Sequence, residues 1–447
     1  MAQFDNVVTR ELSNGLRVIL RPTQHVPVTS VWISYLVGSR HERPGQTGLA
    51  HWVEHMMFKG TPAIGADALN RMISREGGNY NAYTTLDYTT YYATVPSHQA
   101  EMILQIEADR MMNLRMTAEE VEAERTVILS ERHMYENQPM FLLYEALHKV
   151  AFPTHGYHHD IIGQEEDLRR HTRDDLYQHY RQYYAPNQAV LVLVGAFEPE
   201  EMLTRVEHYF GGIEAAAEPP PPSPPDMPLT MEQRVVVKGP GDAVYMVFAY
   251  PSPVSRSEDF FALALVNTIL TGGGIFGHGG SNKSSRLYQA LVEQDLAVAV
   301  YGSQSLTIDP YLYDIGLILQ DGQELAAVEA AFDVALAGLE REPITDEELA
   351  KAKKRARAQF ILSNESVTSQ AGLLSLSQIM GGHARWHEEA LAALQTVTVE
   401  QVRAVAEKYL KGRGRIIATY EPIVDEDVEA ELAIGEENYA SHTEIIN

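Results

Sequence analysis

The amino-acid sequence predicts an α+β protein made of two homologous domains, each a mixed, mainly antiparallel β-sheet packed with helices. A proline-dense segment near the middle of the 447 residues leaves two halves of about 220 residues, a common domain size. Each half opens with two apolar strand patterns and closes with an amphipathic helix, a polar turn and an apolar strand. The composition, 45% hydrophobic and 21% charged, is that of a folded globular chain.

The two halves begin and end alike. Two strands are predicted in the first half by LRVILRP and VTSVWISYLVG, and two in the second by RVVVKGP and AVYMVFAYP. Near the ends, equivalent helices carry Tyr183 and Tyr409, 226 residues apart (409 − 183). We therefore predict a duplicated unit, with one domain at 1–213 and its homologue at 229–447. The connector, 214–228, reads EAAAEPPPPSPPDMP, and such proline density excludes helix and central strand.

Charge and cysteine content exclude several classes of protein. With 61 acidic and 35 basic residues the net charge is −26, so neither nucleic acid nor an anionic membrane is an expected partner. The absence of cysteine excludes disulfides, thiolate metal sites and cysteine nucleophiles. Asp5, Arg10 and Glu11 lie where a signal peptide has its apolar core. We expect a soluble protein of the cytoplasm rather than the periplasm.

The segment TGLAHWVEHMMFKGT predicts a helix with a chemically distinctive face. Thr47 is the expected N-cap. His51 and His55 are four residues apart, so they lie one turn apart on one face and can ligate the same metal ion. Glu54 lies beside them and can reach a water molecule without being a ligand. The pattern H-x-x-E-H reverses the H-E-x-x-H helix of zinc metalloproteases. A histidine pair on a solvated helix is the alternative until a third ligand is found.

A candidate third ligand lies in TAEEVEAERTVILSERHMYENQP. Thr117 and Glu120 form a predicted capping box, which starts a helix. Glu124 and Glu131 are two turns apart and share one face of it. Two histidines, one glutamate and a water form the open zinc site of hydrolases, so Glu131 is the candidate ligand. Glu124 would then accept a hydrogen bond from a histidine and orient it. The alternative is a solvated stripe of glutamates.

The chain resembles the pitrilysin family of zinc peptidases, which includes insulin-degrading enzyme and mitochondrial processing peptidase. The resemblance rests on HWVEHMMFKGT, GGNYNAYTTLDYTTYY and ERTVILSERHMYENQP, in this order and spacing, and extends over nearly the whole chain. It implies that Zn²⁺ is bound by His51, His55 and Glu131. It also implies that Glu54 is the general base and that Glu124 supports the site.

The resemblance further implies a mode of substrate binding and a function. Asn81 and Ala82 fall on an edge strand beside the zinc, where family members bind an extended peptide as an added strand. The length resembles that of short bacterial members, in which two chains pair and each forms half of a clam-shell chamber. We therefore expect a zinc metalloendopeptidase that acts on peptides or unfolded segments. A non-enzymatic structural homologue and a maturation protease of one peptide precursor are the alternatives.

One element of the family pattern is missing from the second half. Members that act alone or as identical pairs carry an Arg and a Tyr that reach the substrate carbonyl. The corresponding stretch here is 290–298, with Val292 or Leu291 at the Arg place and Val298 at the Tyr place. Because these side chains cannot donate a hydrogen bond, we expect a heterodimer with a homologous chain that carries the Arg/Tyr pair but lacks the zinc motif. The alternative is a homodimer that uses other groups, such as Arg286 and Tyr288 or Tyr301.

Two further segments have conspicuous compositions. The glycine-rich run at 272–280 is not a phosphate loop, because Asn282 stands before Lys283 where that motif has glycine. It resembles the glycine-rich loop of the non-catalytic processing-peptidase subunit, and a mobile surface loop is the alternative. Three histidines of HGYHHD match a family loop that carries no zinc: His155, His158 and His159.

Overall fold

Two six-stranded β-sheets form the framework of the protein. The computed structural model describes residues 6–24, 26–226, 229–274, 282–411, 414–423 and 443–446. The strands of the first sheet are β1 (Val8–Glu11), β2 (Arg17–Pro22), β3 (Val28–Tyr35), β4 (Asn79–Thr84), β5 (Thr89–Pro96) and β6 (Ala189–Gly195). Those of the second are β7 (Gln233–Gly239), β8 (Tyr245–Ser252), β9 (Ala297–Gln304), β10 (Tyr311–Leu319), β11 (Ile416–Pro422) and β12 (Thr443–Ile446).

The α-helices are distributed between both halves of the chain. Those of the first half are α1 (Leu49–Met57), α2 (Ala66–Arg75), α3 (Ala100–Asn113), α4 (Ala118–Glu136), α5 (Pro139–Ala151), α6 (Glu165–Arg170), α7 (Arg173–Tyr183) and α8 (Pro199–Phe210). Those of the second half are α9 (Glu258–Leu270), α10 (Leu325–Arg341), α11 (Asp346–Leu362), α12 (Val367–Leu376), α13 (Trp386–Thr396) and α14 (Val399–Leu410).

The two sheets have the same topology. The strand orders are β1-β2-β6-β3-β5-β4 and β12-β7-β11-β8-β10-β9. In each sheet one pair is parallel, β2 with β6 and β7 with β11, and every other pair is antiparallel. The helices before β6 and β11 also match, since Thr172 and Thr398 each form a capping box at the start. The prediction of an α+β fold with two like domains is confirmed.

The chain forms two compact units, and each contains one complete helix from the opposite half of the sequence. Unit 1 comprises Met1–Arg132, His155–Pro224 and Leu362–Glu389, and unit 2 comprises His133–Thr154, Pro225–Ile361 and Ala390–Asn447, as far as these residues are described. Helix α12, from the second half of the sequence, packs on β3 and β6 in unit 1. Helix α5, from the first half, packs on β7 and β11 in unit 2. Each sheet is built from strands on one side of the predicted connector, 214–228, whereas α5 and α12 each pack on the sheet of the other half. The domain boundaries at 213 and 229 remain a prediction.

The described part of the connector has no regular secondary structure, and the strands β6 and β4 differ in burial. Residues 214–226 contain neither helix nor strand, as their proline content predicts. Strand β6, with the apolar run AVLVLVG, is buried along its whole length, as expected for a central strand covered on both faces. Strand β4 lies at the edge of its sheet and is partly exposed. Within the described ranges, no helix is both long and apolar enough to cross a bilayer.

Candidate metal centre

Helix α1 carries the two motif histidines, and buried acidic residues fix its N-terminus. The Glu42 carboxylate accepts hydrogen bonds from the backbone N–H groups of Gly48 and Ala50, both at 2.7 Å, and so satisfies free donors of the first turn. Gly48 is the N-cap, with a left-handed φ of 86° that favours glycine. The expectation that Thr47 caps the helix is wrong, because its hydroxyl donates to Asp167 at 2.7 Å instead.

The opposite side of α1 is packed into unit 1. Trp52, Val53 and Met56 are fully buried. At the C-terminal end, the buried guanidinium of Arg110 donates to the carbonyl of Met57 at 3.4 Å. The helix is therefore held along its apolar side and at both ends, so the histidine face has one orientation.

Three candidate ligand atoms converge beside this face. His51 Nε2 lies 3.8 Å from Glu131 Oε2, and His55 Nε2 lies 3.6 Å from the same oxygen. The ligand atoms of the three residues all lie within 4.8 Å of one another. Zinc bonds of about 2.0–2.2 Å in a tetrahedron separate neighbouring ligand atoms by roughly 3.3 Å. Small side-chain movements would bring the three atoms onto one ion, and two imidazoles with a carboxylate suit zinc.

The electrostatics of the two histidines agree with a ligand role. Burial, together with the neighbouring His55, lowers the pKa of His51 to about 3, so this ring stays neutral. For His55, burial lowers the pKa, but the hydrogen bond and charge of Glu124 outweigh it and the pKa is raised. His55 Nδ1 lies 2.8 Å from Glu124 Oε1. When His55 Nδ1 carries the proton and donates a hydrogen bond to Glu124, His55 Nε2 keeps its lone pair, which lies on the side of Glu131.

Helix α4 brings Glu124 to the histidine pair. The predicted capping box is present, since Glu120 N donates to Thr117 Oγ1 at 3.2 Å and Thr117 N donates to Glu120 Oε2 at 3.1 Å. Glu124 is buried, and its second oxygen, Oε2, accepts from Lys59 Nζ. Burial raises the pKa of Glu124, but the hydrogen bonds from His55 and Lys59 outweigh it and lower the pKa. Glu124 is thus a charged acceptor between a histidine and a lysine.

Glu54 lies on α1 between the two histidines, is 9% exposed and accepts a hydrogen bond from a specific donor. Thr84 Oγ1, at the end of β4, donates to Glu54 Oε2 at 2.6 Å. Burial raises the pKa of Glu54, although the Thr84 bond and the charge of His55 oppose the rise. A carboxylate whose pKa is raised toward neutrality is suited to accept and return a proton. Thr84 belongs to the NAYT segment, whose sequence does not indicate a contact with Glu54.

Asn81 and Ala82 lie on the edge strand β4, as expected from the sequence. Side chains alternate along a strand, so Ala82 and Thr84 share the face that meets α1 at Glu54. Asn81 is exposed, and its Oδ1 accepts from Ala82 N at 2.9 Å. The Ala82 N–H is therefore satisfied by its neighbour's side chain, and no described strand pairs with the outer edge of β4.

The histidines of HGYHHD lie apart from these ligands. His159 Nε2 lies 2.8 Å from Glu42 Oε2, the carboxylate that caps α1. The ring of His155 accepts from Tyr157 N at 3.2 Å. Both residues are buried, so they stabilise the loop that supports the helix N-terminus.

The features singled out in the second half belong to unit 2. Arg286 Nε and Nη2 donate to the two oxygens of Glu348, each at 2.8 Å, and Nη1 donates to the carbonyl of Glu342 at 2.7 Å. Leu291 is fully buried, whereas Val298 is 57% exposed on the edge strand β9. Of the glycine-rich run at 272–280, residues 275–280 lie outside the described part of the chain.

Duplicated six-stranded units and an H-x-x-E-H helix facing a distant glutamate are the features of peptidases with an inverted zinc motif. The chain belongs to peptidase family M16, the pitrilysin family. The family profile described as insulinase (peptidase family M16) matches residues 17–165. The profile described as the peptidase M16 inactive domain matches residues 170–356.

Individual relatives cover nearly the whole chain. The uncharacterized zinc protease ML0855 of Mycobacterium leprae is 30% identical over 427 residues, which are 92% of this chain and 91% of that protein. The uncharacterized zinc protease YmxG of Bacillus subtilis is 29% identical over 399 residues, 88% of this chain and 93% of that protein. The crystal structure of a protease from Helicobacter pylori superposes with a TM-score of 0.86 at 25% identity, covering 93% of this chain and 99% of that one.

Proposed function

We propose that this protein is a zinc metalloendopeptidase that cleaves peptides or unfolded polypeptide segments. The observation that carries the proposal is the convergence of His51, His55 and Glu131 beside the buried carboxylate of Glu54. The donor set supports zinc as the metal, as do the zinc-protease names of the relatives. A bound zinc ion would polarise a peptide carbonyl and acidify a water molecule.

Glu54 acts as the general base. Its carboxylate is not among the ligand atoms that converge, yet the residue lies between the two histidines on α1. Its carboxylate accepts the proton of the attacking water and returns it to the amine that leaves. Thr84 holds one carboxylate oxygen, at 2.6 Å, so the other is left for this transfer.

The substrate binds as a strand added to β4. Its backbone pairs with the free edge at Asn81 and Ala82, and the Asn81 side chain swings away from the Ala82 N–H to admit it. Recognition through backbone amides makes sequence preference loose and an extended conformation essential. A folded protein cannot present its backbone in this way, which restricts the substrates to peptides and unfolded segments enclosed in a chamber.

The active form is a heterodimer with a homologous chain. The places of the family Arg and Tyr are taken by apolar side chains, among them the exposed Val298. Arg286, one substitute considered for a homodimer, has its donors engaged by Glu348 and a backbone carbonyl. An oxyanion donor contributes about 10²–10³-fold to the rate, so we expect the partner to supply it. A homodimer remains the alternative assembly.

The two alternative functions differ from the peptidase in what they require of the site. A non-enzymatic structural homologue has no need for the buried Glu54 or for the Glu124–His55 hydrogen bond, and their presence favours the enzyme. A maturation protease that serves one peptide precursor would use the same residues and differ only in substrate.

Cleavage of an unstructured, internally quenched peptide tests the proposal. We expect chelator-sensitive cleavage by the purified chain with a homologue that carries the Arg/Tyr pair, and little cleavage by either alone. Full activity of the single chain would overturn the heterodimer but keep the peptidase. Absence of metal-dependent cleavage in both preparations would overturn the peptidase.

A further inference from the structure

Lys59 joins the metal centre through Glu124. It follows the end of α1 by two residues, and its backbone N–H donates to the carbonyl of Met56 at 2.9 Å, which continues the helical turn. Its ammonium contacts Glu124 Oε2, while its side chain keeps 31% of its exposure. The residue is thus anchored on the metal helix and reaches across to α4.

The two oxygens of Glu124 have different partners. Oε1 faces His55 Nδ1 at 2.8 Å, and Oε2 faces the Lys59 ammonium. The Glu124 side chain is 8% exposed, and a buried carboxylate is costly unless both its charge and its lone pairs are satisfied. His55 satisfies only one of the two oxygens of Glu124. Lys59 satisfies the other and fixes the plane of the carboxylate.

We infer that Lys59 is a positioning residue of the metal centre, which holds Glu124 so that Glu124 in turn holds His55 with Nε2 toward the metal. The inference rests on the proposed function, since it presupposes that His55 is a ligand. The chain of contacts runs from His55 on α1 through Glu124 on α4 to Lys59, two residues beyond the end of α1. Outer partners that orient ligands of a metal site contribute about 10–100-fold to metal affinity.

The test measures the zinc dissociation constant of the full-length protein by competition with a fluorescent chelator. Lys59→Met removes the ammonium and keeps the apolar stem, and we expect zinc binding about tenfold weaker, the lower end of the range for outer partners. Lys59→Arg keeps a charged donor and should stay within about threefold of wild type. Lys149→Met is the matched control, because Lys149 pairs with Glu145 at 3.7 Å in unit 2 and is 44% exposed.

A double-mutant cycle separates positioning from a general loss of stability. In the Glu124→Gln background, Lys59→Met should change the zinc dissociation constant less than about twofold, because the lysine acts only through Glu124. Equal effects of Lys59→Met in both backgrounds would overturn the inference, as would an unchanged constant in the single variant. Circular dichroism of each zinc-free variant checks that the fold is kept.

The same assay distinguishes failure of the inference from failure of the metal assignment. If His51→Ala abolishes zinc binding and Lys59→Met does not weaken it, the positioning role alone is wrong. If His51→Ala binds zinc like the wild type, the assignment of the metal centre is wrong, and with it the proposed function.

Discussion

Thr84 and Glu54 are joined by a 2.6 Å hydrogen bond that connects the edge strand β4 with the metal helix α1. The two residues are 30 positions apart in the sequence. Because Ala82 lies on the same face of the same strand, the bond ties the candidate peptide-binding edge to the candidate general base. A peptide bound to β4 as proposed would therefore lie close to Glu54.

Loss of this bond should slow catalysis without weakening substrate binding. Thr84→Val removes the hydroxyl and keeps the shape, and we expect kcat to fall by about 10- to 100-fold with KM nearly unchanged, since one hydrogen bond to a charged group contributes roughly 1.5–3 kcal/mol. Thr84→Ser keeps the donor and should retain most of kcat. Similar losses in both variants would show that the methyl group, and not the hydrogen bond, matters.

The pH profile gives a second readout of the same pair. The Thr84 bond lowers the pKa of Glu54 against the effect of burial. Removing the donor disfavours the charged carboxylate, so the pKa rises and the acidic limb of kcat/KM should move to higher pH in Thr84→Val. An acidic limb that stays in place, or moves to lower pH, would exclude Glu54 as the group that titrates there.

Removal of a ligand should remove the metal. His51→Ala and Glu131→Gln each leave too few protein ligands for a hydrolytic zinc site, so we expect substoichiometric zinc after dialysis, against about one zinc per chain in the wild type. Metal analysis of the purified proteins measures this. Glu166→Gln is a suitable control, because Glu166 forms an exposed ion pair with Arg170. Full zinc content in Glu131→Gln would mean that the third ligand is assigned wrongly.

Strand addition predicts an alternating response to backbone methylation of a peptide substrate. In an added strand, successive N–H groups point alternately toward β4 and away from it. Methylation of an inward N–H removes one hydrogen bond and should raise KM by about 3- to 10-fold, whereas methylation of an outward one should have little effect. A set of singly methylated peptides measures this. A uniform response along the peptide would contradict binding as a strand.

Stability should depend on the buried Asp314 of unit 2. Tyr144 Oη donates to Asp314 Oδ2 at 2.6 Å, and burial raises the pKa of Asp314 to about 7. An unfolded Asp titrates near roughly 3.9. At pH values between these two pKa values, the folded state binds one proton more than the unfolded state. The free energy of unfolding therefore falls as pH rises through this window and levels off above about pH 7. The group is thus most favourable to folding at low pH.

Asp314→Asn removes this dependence and keeps an acceptor for Tyr144. We expect the variant to be more stable than wild type at pH 8, by roughly 1–4 kcal/mol, with the difference vanishing near pH 4. Urea unfolding at several pH values measures it, and Asp321→Asn, at an exposed site, is the control. A variant less stable than wild type at pH 8 would contradict the raised pKa.

The parts of the site that local periodicity determines could be predicted from the sequence. A spacing of four places His51 and His55 on one helix face, and a spacing of seven places Glu124 and Glu131 on another. What remained beyond prediction depends on tertiary contacts. The carboxylate of Glu42, and not the hydroxyl of Thr47, accepts the hydrogen bonds of the first turn of α1, because the loop before the helix brings Glu42 to its N-terminus. The NAYT segment does not reveal that Thr84 reaches Glu54.

The exchange of helices between the units was also beyond the sequence. Helices α5 and α12 are rich in apolar residues, and this composition predicts that a helix is buried but not against which sheet. The strands that open and close each half, by contrast, can be recognised from their apolar patterns in the sequence. The strand orders of both sheets therefore agree with the predicted duplication, while the packing of α5 and α12 had to be seen in the structure.

Substitution of Glu54 by glutamine tests the central claim most directly. The measurement is the rate of peptide cleavage by wild type and Glu54→Gln at equal zinc content, with the homologous chain present. Glutamine keeps the size and the hydrogen bond of Thr84 but cannot accept a proton, so the account predicts unchanged zinc content and fold and a loss of about 10²–10⁴-fold in kcat. Cleavage by Glu54→Gln at a rate near that of wild type would contradict the account.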